Sequence, residues 1–128
     1  MVQETSVKNI KMRLLLTGAS GFIGKNFIEN APKDMEITAI YNNSNNIKSF
    51  VEKKRLKNVR LYKCDFTKKK ELDALFKRIG GNFEYCIYLA GNVNIPLSMA
   101  NPAEDLNANA IALINFLQAC SKIGRFVY

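Results

Sequence analysis

The chain has 128 residues, a length that suits one domain with a single hydrophobic core. It contains no histidine, and its three cysteines form no C-x-x-C pair, so the common Cys/His zinc sites and a Cys–His catalytic dyad are excluded and no metal site is expected. The cysteines are expected to be buried free thiols. The apolar runs are too short to cross a bilayer and the first residues lack a secretory signal, so we expect a cytoplasmic protein without a membrane partner.

The formal net charge of +8 makes a basic nucleic-acid-binding domain one alternative, because lysine and arginine side chains neutralise phosphates. The basic residues cluster at 53–57 and at 68–70, in segments with helical patterning. A solvated helix face explains both clusters equally well, and no known nucleic-acid-binding motif accompanies them. Nucleic acid is therefore the less favoured partner.

The first part of the chain is predicted to form a leader, a strand, a helix and a second strand. Residues 1–11 are polar without periodicity, which predicts a flexible leader. An apolar run at 12–17 predicts a strand buried on both faces, and helically spaced apolar residues then continue to Pro32. A second strand is predicted at 36–41, and it ends at the asparagine-rich segment 42–46.

The central part continues the alternation of helix and strand. Apolar residues within 47–56 fall on one helical stripe, and a third strand is predicted at 59–62. Apolar residues within 72–79 then follow at i, i+3, i+4 and i+7, with charged residues between them. This pattern predicts an amphipathic helix that the glycines at 80–81 end.

The last part adds two strands and one helix. A fourth strand is predicted at 85–90 and a loop at 91–101. Pro102 is suited to start a helix, and Gly124 is interpreted as its end, followed by a fifth strand at 125–128. Strands that alternate with helices in this way indicate the α/β class, with a parallel sheet and helices on both faces.

The most specific chemical signal is the sequence TGASGFIG at residues 17–24. Its three glycines follow the first strand directly and open a helix, an arrangement that directs backbone N–H groups at a pyrophosphate. We expect Gly18 to make the tight turn, Gly21 to let the phosphate approach and Gly24 to let the helix pack closely on the strand. The alternative is a glycine-rich turn without a ligand.

This turn resembles the TGxxGxxG motif of the extended short-chain dehydrogenase/reductases, also called NAD-dependent epimerase/dehydratases. Further similarities follow in the family's order. Residues 64–67 resemble the Asp-containing turn after strand three, and residues 88–91 resemble the HLAA segment that ends strand four. Residues 109–120 are similar to the N-x-x-G-T-x-N-L-L-E-A-x helix, and residues 125–128 to the start of strand five.

The resemblance implies a Rossmann-type doubly wound parallel sheet over 12–128, truncated after about five strands, that binds NAD or NADP. Asp65 would contact the adenine, and the segment at 88–91 would line the nicotinamide side. The implied cofactor-binding residues are Gly18, Ala19, Ser20, Gly21, Phe22, Ile23, Gly24, Tyr41, Asn42, Asp65, Phe66, Leu89, Ala90, Gly91 and Asn109.

Several positions depart from the family pattern. Tyr41 stands where many NAD-using members carry an acidic residue that binds the adenosine ribose. No arginine suited to a 2′-phosphate stands there, although Lys48 is nearby, so NAD and NADP both stay open. Tyr88 replaces a histidine, and Ala112 and Leu113 replace Gly-Thr.

The resemblance implies the dinucleotide-binding part of an NAD(P)-dependent sugar-nucleotide epimerase, dehydratase or reductase, an oxidoreductase that transfers hydride at a carbinol carbon. A nucleotide sugar or another small molecule would be its substrate. No catalytic residue is expected here, because the family's Tyr-x-x-x-Lys pair would follow residue 128, so we expect the chain alone to be inactive. A non-catalytic nucleotide-binding module is the alternative. An open strand-five edge would favour self-association into a homo-oligomer.

Overall fold

The computed structural model describes residues 11–128, so the predicted leader at 1–11 lies outside the described residues apart from Lys11. Five β-strands and six α-helices form within this range. In chain order they are β1 (Arg13–Thr17), α1 (Phe22–Asn30), β2 (Glu36–Tyr41), α2 (Asn46–Lys53), β3 (Val59–Lys63), α3 (Lys69–Ile79), β4 (Asn82–Tyr88), α4 (Ile95–Ala100), α5 (Pro102–Leu106), a π-helical turn (Asn107–Ile111), α6 (Ala112–Ala119) and β5 (Lys122–Val127).

The five strands form one sheet in the order β3-β2-β1-β4-β5, and every neighbouring pair is parallel. The chain runs outwards from β1 to β3 and then returns to the other side of β1 through β4. The direction of winding therefore reverses between β1 and β4. In open parallel sheets the crevice beside such a reversal, at the carboxyl ends of the strands, is where ligands bind.

Hydrophobic cores cover both faces of the sheet. Side chains alternate along the central strand β1, so that Leu15 joins one core, whereas its neighbours Leu14 and Leu16 join the other. Helices α3 and α6 contribute to the core around Leu15. Helices α1 and α2 contribute Ile28 and Ile47 to the opposite core. The predicted Rossmann-type doubly wound α/β sheet is therefore confirmed.

The predicted loop at 91–101 is wrong in part, because it contains the short helix α4. The side chain of Asn94 accepts a hydrogen bond from the N–H of Leu97 and so caps this helix, whose first turn includes Pro96. The helix predicted from Pro102 does start there, with Asn101 as its capping residue. It is not uniform, because the π-helical turn widens it at Asn107–Ile111.

The interpretation of Gly124 as a helix end is wrong. The preceding helix ends at Ala119, and Gly124 lies inside β5, which begins at Lys122 rather than at 125. A Cβ on Gly124 would lie 2.7 Å from the carbonyl oxygen of Glu84 on β4. The glycine thus permits two strand backbones to approach closely, a role that the sequence alone does not distinguish from a helix stop.

Two further boundaries differ from the prediction. β4 occupies Asn82–Tyr88 rather than 85–90, because the backbone beyond Tyr88 leaves the sheet to enter the crevice. Leu56 is buried as the apolar stripe predicts, but α2 ends at Lys53. The chain turns at Arg55, whose φ of 52° places it in the left-handed region and ends the helical path.

Candidate functional site

A cleft of about 910 Å³ opens at the carboxyl ends of the strands. Segments that follow β1, β2, β3 and β4 line it together with the helical segment after Asn101. Most of the residues predicted to bind a cofactor lie on its surface: Gly18, Ser20, Gly21, Phe22, Ile23, Gly24, Tyr41, Asn42, Asp65, Phe66, Leu89, Ala90 and Gly91. The structure therefore brings five separate sequence segments to one surface.

Gly18 and Gly24 are required by the backbone geometry of the turn after β1. Gly18 has a φ of +67°, and a Cβ there would lie 2.6 Å from the carbonyl carbon of Leu89. A Cβ on Gly24 would lie 2.6 Å from the carbonyl oxygen of Gly18. Glycine at these positions allows the first turn of α1 to pack directly against the turn and against the segment that follows β4.

Gly21 is the N-cap residue of α1 and forms no side-chain capping bond. Within residues 11–128, the N–H groups of Phe22, Ile23 and Gly24 donate to no acceptor. The first turn of α1 carries no acidic side chain, and Phe22 is 84% exposed. Free N–H groups and the positive end of a helix dipole at an open surface fit a bound phosphate.

Thr17 joins the turn to the segment after β4, a role that the sequence did not assign to it. Its fully buried hydroxyl oxygen accepts hydrogen bonds from the N–H groups of Leu89 and Ala90, both at 3.1 Å. Ala19 is also fully buried and does not line the cleft, but its N–H donates to the carbonyl oxygen of Ile40 at the end of β2. Both residues position cleft segments from beneath.

Asp65 organises the backbone after β3. Its Oδ1 atom accepts hydrogen bonds from the N–H of Thr67 at 3.0 Å and from the hydroxyl of Thr67 at 2.7 Å. The carbonyl oxygen of Phe66 accepts a bond from the buried side chain of Asn115 on α6. Asn115 is a further positioning residue that the sequence did not single out, and it ties this cleft segment to the core.

The end of β2 presents neutral polar groups to the cleft. Tyr41 is only 3% exposed, because its side chain packs in the hydrophobic core. Asn42 is the first residue after β2, and it lines the cleft with an exposed side chain. Asn43 and Ser44 also line the cleft. The side chains that follow β2 therefore provide amides and a hydroxyl there, with no carboxylate at 42–44.

Asn109 does not line the cleft, although it was among the implied cofactor residues; it holds the segment after β4 in place. Its Oδ1 accepts the N–H of Asn92 at 2.7 Å, and its Nδ2 donates to the Oδ1 of Asp105 at 2.9 Å. The same Asp105 oxygen accepts bonds from the side chains of Asn92 and Ser98. A Cβ on Gly91 would lie 2.8 Å from Oδ1 of Asn109, so the approach is close.

All three cysteines are buried free thiols, as predicted. Burial raises the pKa of Cys86 to about 12 and the pKa of Cys64 and Cys120 to about 11. Burial also raises the pKa of Tyr88 to about 12, and its hydroxyl has no hydrogen-bond partner in the described part of the chain. These groups are protonated at neutral pH and are not suited to act as nucleophiles.

Other kinds of site can be assessed only for residues 11–128. No group of three His, Cys, Asp or Glu side chains within this range is arranged to hold a metal ion. None of the helices described is long and apolar enough to cross a membrane. The basic clusters lie at the surface, and Lys54, Lys68 and Lys69 pair there with carboxylates.

Comparison with known proteins gives consistent results. The family described as NAD dependent epimerase/dehydratase matches residues 14–128. A UDP-glucose 4-epimerase of Cyamopsis tetragonoloba is 29% identical over 117 residues, covering 85% of this chain and 32% of that protein. Among solved structures, an epimerase of Methanothermobacter thermautotrophicus has a TM-score of 0.71 at 26% identity, covering 91% of this chain and 34% of that one.

A second solved structure, the UDP-glucose 4-epimerase of Thermus thermophilus in complex with NAD, has a TM-score of 0.66 at 24% identity and covers 85% of this chain and 33% of that one. At this identity the likeness shows the fold alone. The chain spans 32% to 34% of the length of these relatives. Because the family match extends over residues 14–128, this chain belongs to the NAD-dependent epimerase/dehydratase family.

Proposed function

We propose that the cleft binds NAD or NADP, with the pyrophosphate against the first turn of α1. The observation that carries this proposal is the combination of a glycine-only backbone at Gly18 with free N–H groups at Phe22, Ile23 and Gly24. These groups lie beside the reversal of winding between β1 and β4. Backbone donors at such a reversal can bind an anion without any charged side chain.

The remaining cleft segments are assigned to the other parts of the dinucleotide. The segment after β4 would line the nicotinamide side, where Thr17 fixes the backbone at Leu89 and Ala90. Residues after β2 and β3 would hold the adenosine. When bound, the cofactor would supply reversible hydride transfer. The residues we assign to the adenosine are Tyr41, Asn42, Asp65 and Phe66, and those we assign to the nicotinamide side are Leu89, Ala90 and Gly91.

For the whole protein, we propose a nucleotide-sugar epimerase, dehydratase or reductase that acts at a carbinol carbon. The support is family membership together with the UDP-glucose 4-epimerases among the relatives. This chain would contribute the cofactor-binding part. The competing proposal is a nucleotide-binding module that catalyses no reaction. An assay of the protein encoded by the complete reading frame, with NAD and UDP-sugars, distinguishes the two.

We further propose that this chain binds the cofactor without turning over a substrate. The charged side chains that line the described cleft are Asp65, Glu104 and Asp105, and no lysine lines it. Its single tyrosine, Tyr41, is buried. This lining supports the proposal, because the described cleft contains no lysine and no exposed tyrosine that would form a proton-transfer pair. Epimerisation or oxidation of a UDP-sugar by the purified chain would overturn this proposal.

The dinucleotide proposal is tested by placing a negative charge at the first turn of α1, where we place the pyrophosphate. Gly21→Glu should weaken NADH binding by at least about tenfold, because a carboxylate at the helix N-terminus repels the pyrophosphate and occupies its place. Binding is measured by isothermal titration calorimetry and by NADH fluorescence. Asn26→Glu is the matched control, since it adds the same charge on an exposed position of α1 outside the cleft. Equal affinity in wild type and Gly21→Glu would contradict the proposal.

We also propose that the chain self-associates through β5. This strand pairs only with β4 in the described part of the chain, and Val127 and Tyr128 are 56% and 81% exposed. An open strand edge with apolar side chains favours pairing with a second copy. Sedimentation velocity should show a concentration-dependent dimer or larger species, and a monomer at high concentration would contradict this.

The three free thiols support a reducing compartment, so we propose the cytoplasm as the location.

The nucleic-acid alternative has less support. Lys54, Lys68 and Lys69 form ion pairs with carboxylates on the surface, which reduces the positive charge that these clusters present. A phosphate-binding surface would show an affinity that falls steeply with salt. Titration with single- and double-stranded oligonucleotides at two salt concentrations tests this alternative.

A further inference from the structure

We propose that the cleft accepts NADP about as readily as NAD, with the 2′-phosphate placed against residues 42–44 after β2. This inference rests on the proposed dinucleotide function and goes beyond it, because it assigns the selection between two cofactors to particular residues. The residues that follow β2 decide between NAD and NADP. This segment lies one strand away from the glycine turn after β1, where we place the pyrophosphate. In this architecture the group there meets the adenosine ribose.

Many clefts of this architecture that select NAD against NADP carry a carboxylate at this place. Such a group accepts hydrogen bonds from the ribose hydroxyls and repels a 2′-phosphate, which carries close to two negative charges at neutral pH. Here the last residue of β2 is Tyr41, whose side chain packs into the core rather than presenting a charge. The repelling group is therefore missing from the segment.

The carboxylates that do line the cleft lie on other segments. Asp65 follows β3 and is held by Thr67, whereas Glu104 and Asp105 lie on α5. Glu104 accepts a hydrogen bond from the side chain of Asn101, and Asp105 belongs to the network around Asn109. Each of them already has an internal role, so none is a substitute for an acidic residue at the end of β2.

The groups that replace the carboxylate can bind either cofactor. Asn42 and Asn43 have exposed side-chain amides, and Ser44 has a hydroxyl; all three line the cleft. Amide and hydroxyl groups donate to phosphate oxygens and also exchange hydrogen bonds with ribose hydroxyls. The following helix α2 has no acidic residue in its first turn, and Lys48 lies there with an exposed side chain. The local charge is thus neutral to positive, which permits a phosphate.

The experiment compares the two cofactors on this chain and on one charge variant. Isothermal titration calorimetry of the wild type should give dissociation constants for NAD and NADP that agree within about tenfold. Asn42→Asp should weaken NADP binding by at least about tenfold and change NAD binding by less than about threefold. Asn82→Asp is the control, because Asn82 is exposed at the start of β4, at the opposite end of the strands from the cleft.

The probes 2′,5′-ADP and 5′-AMP isolate the adenosine end of the cofactor. Asn42→Asp should weaken 2′,5′-ADP while leaving 5′-AMP unchanged. A wild type that binds NAD more than about a hundredfold tighter than NADP would overturn the inference. A variant that affects both cofactors equally, or neither, would also overturn it, because residues 42–44 would then not meet the 2′ position. Binding of neither cofactor to the wild type would instead refute the proposed function itself.

Discussion

The two sides of the cleft are built in different ways. On the α1 side, the turn at 18–24 is shaped by the backbone, since Gly18 and Gly24 fill positions that a Cβ could not occupy. On the other side, the segment after β4 is held by side chains, because the Asp105 carboxylate and the Asn109 amide bond to Asn92. The turn at 18–24 requires particular glycines, whereas the segment after β4 requires a set of polar groups that form hydrogen bonds with one another.

This difference predicts that the glycine turn is the less tolerant side. Gly18→Val should destabilise the fold by at least ~3 kcal/mol, because it combines a left-handed φ with a collision against the Leu89 carbonyl group. Gly80→Val is the matched control: Gly80 has a φ of +79° but nothing within 4 Å of its Cβ position. It should cost only the conformational part, about 1–3 kcal/mol. Urea unfolding followed by circular dichroism measures both, and equal losses would show that the close approach at Gly18 contributes nothing.

The same difference explains which side could be predicted from the sequence. The spacing of Gly18, Gly21 and Gly24 after an apolar run specifies a backbone shape, and the structure has that shape. The polar network could not be predicted, because Asn92 and Asp105 are 13 residues apart in the sequence and meet only in the folded chain. Sequence similarity identified Asn109 as important, but it did not reveal that this side chain holds the backbone of Asn92 rather than lining the cleft.

Most of the strands were predictable for a related reason. Apolar runs such as Arg13–Thr17 and Glu36–Tyr41 are buried along most of their length, so their composition identifies them. β5 differs, since its side chains are mostly exposed and Gly124 interrupts it. Its start at Lys122 depends on the pairing with β4, which includes Asn82 opposite Lys122, and no local pattern encodes that contact.

The two hydrophobic cores differ as well, in where the groups with raised pKa values lie. Within residues 11–128, the four groups with raised pKa values lie in the core that α3 and α6 cover: Cys64, Cys86, Cys120 and Tyr88. A thiol whose pKa is higher in the folded chain holds its proton more tightly there. It therefore contributes stability that is complete below the ordinary pKa of 9.0 and is lost as the pH rises towards the folded value.

Raising the pH from 8 to 10 should accordingly lower the free energy of unfolding, by about 1 kcal/mol for each buried thiol. Cys86→Ala should reduce this loss by about that amount, because it removes the thiol with the highest folded pKa. The comparison uses the difference between the two pH values within each variant, so any cavity created by the substitution cancels. A pH dependence that is identical in Cys86→Ala and wild type would contradict the assignment.

A last substitution, at Asp105, tests the side-chain network directly. Asp105→Ala removes the shared acceptor of Asn92, Ser98 and Asn109, and the loss of stability should be about 1–2 kcal/mol, because the three donors are only half-buried and can partly rehydrate. Hydrogen exchange should show faster opening of the backbone at 91–101 and unchanged protection of the N–H groups of Ala19 and Gly21 in the glycine turn. Glu104→Ala is the neighbouring control, since Glu104 is exposed and its side chain bonds only to Asn101 within residues 11–128. Because Thr17 still holds the N–H groups of Leu89 and Ala90, loosening should begin beyond Ala90; if the glycine turn loosens as well, the two sides of the cleft form one cooperative unit.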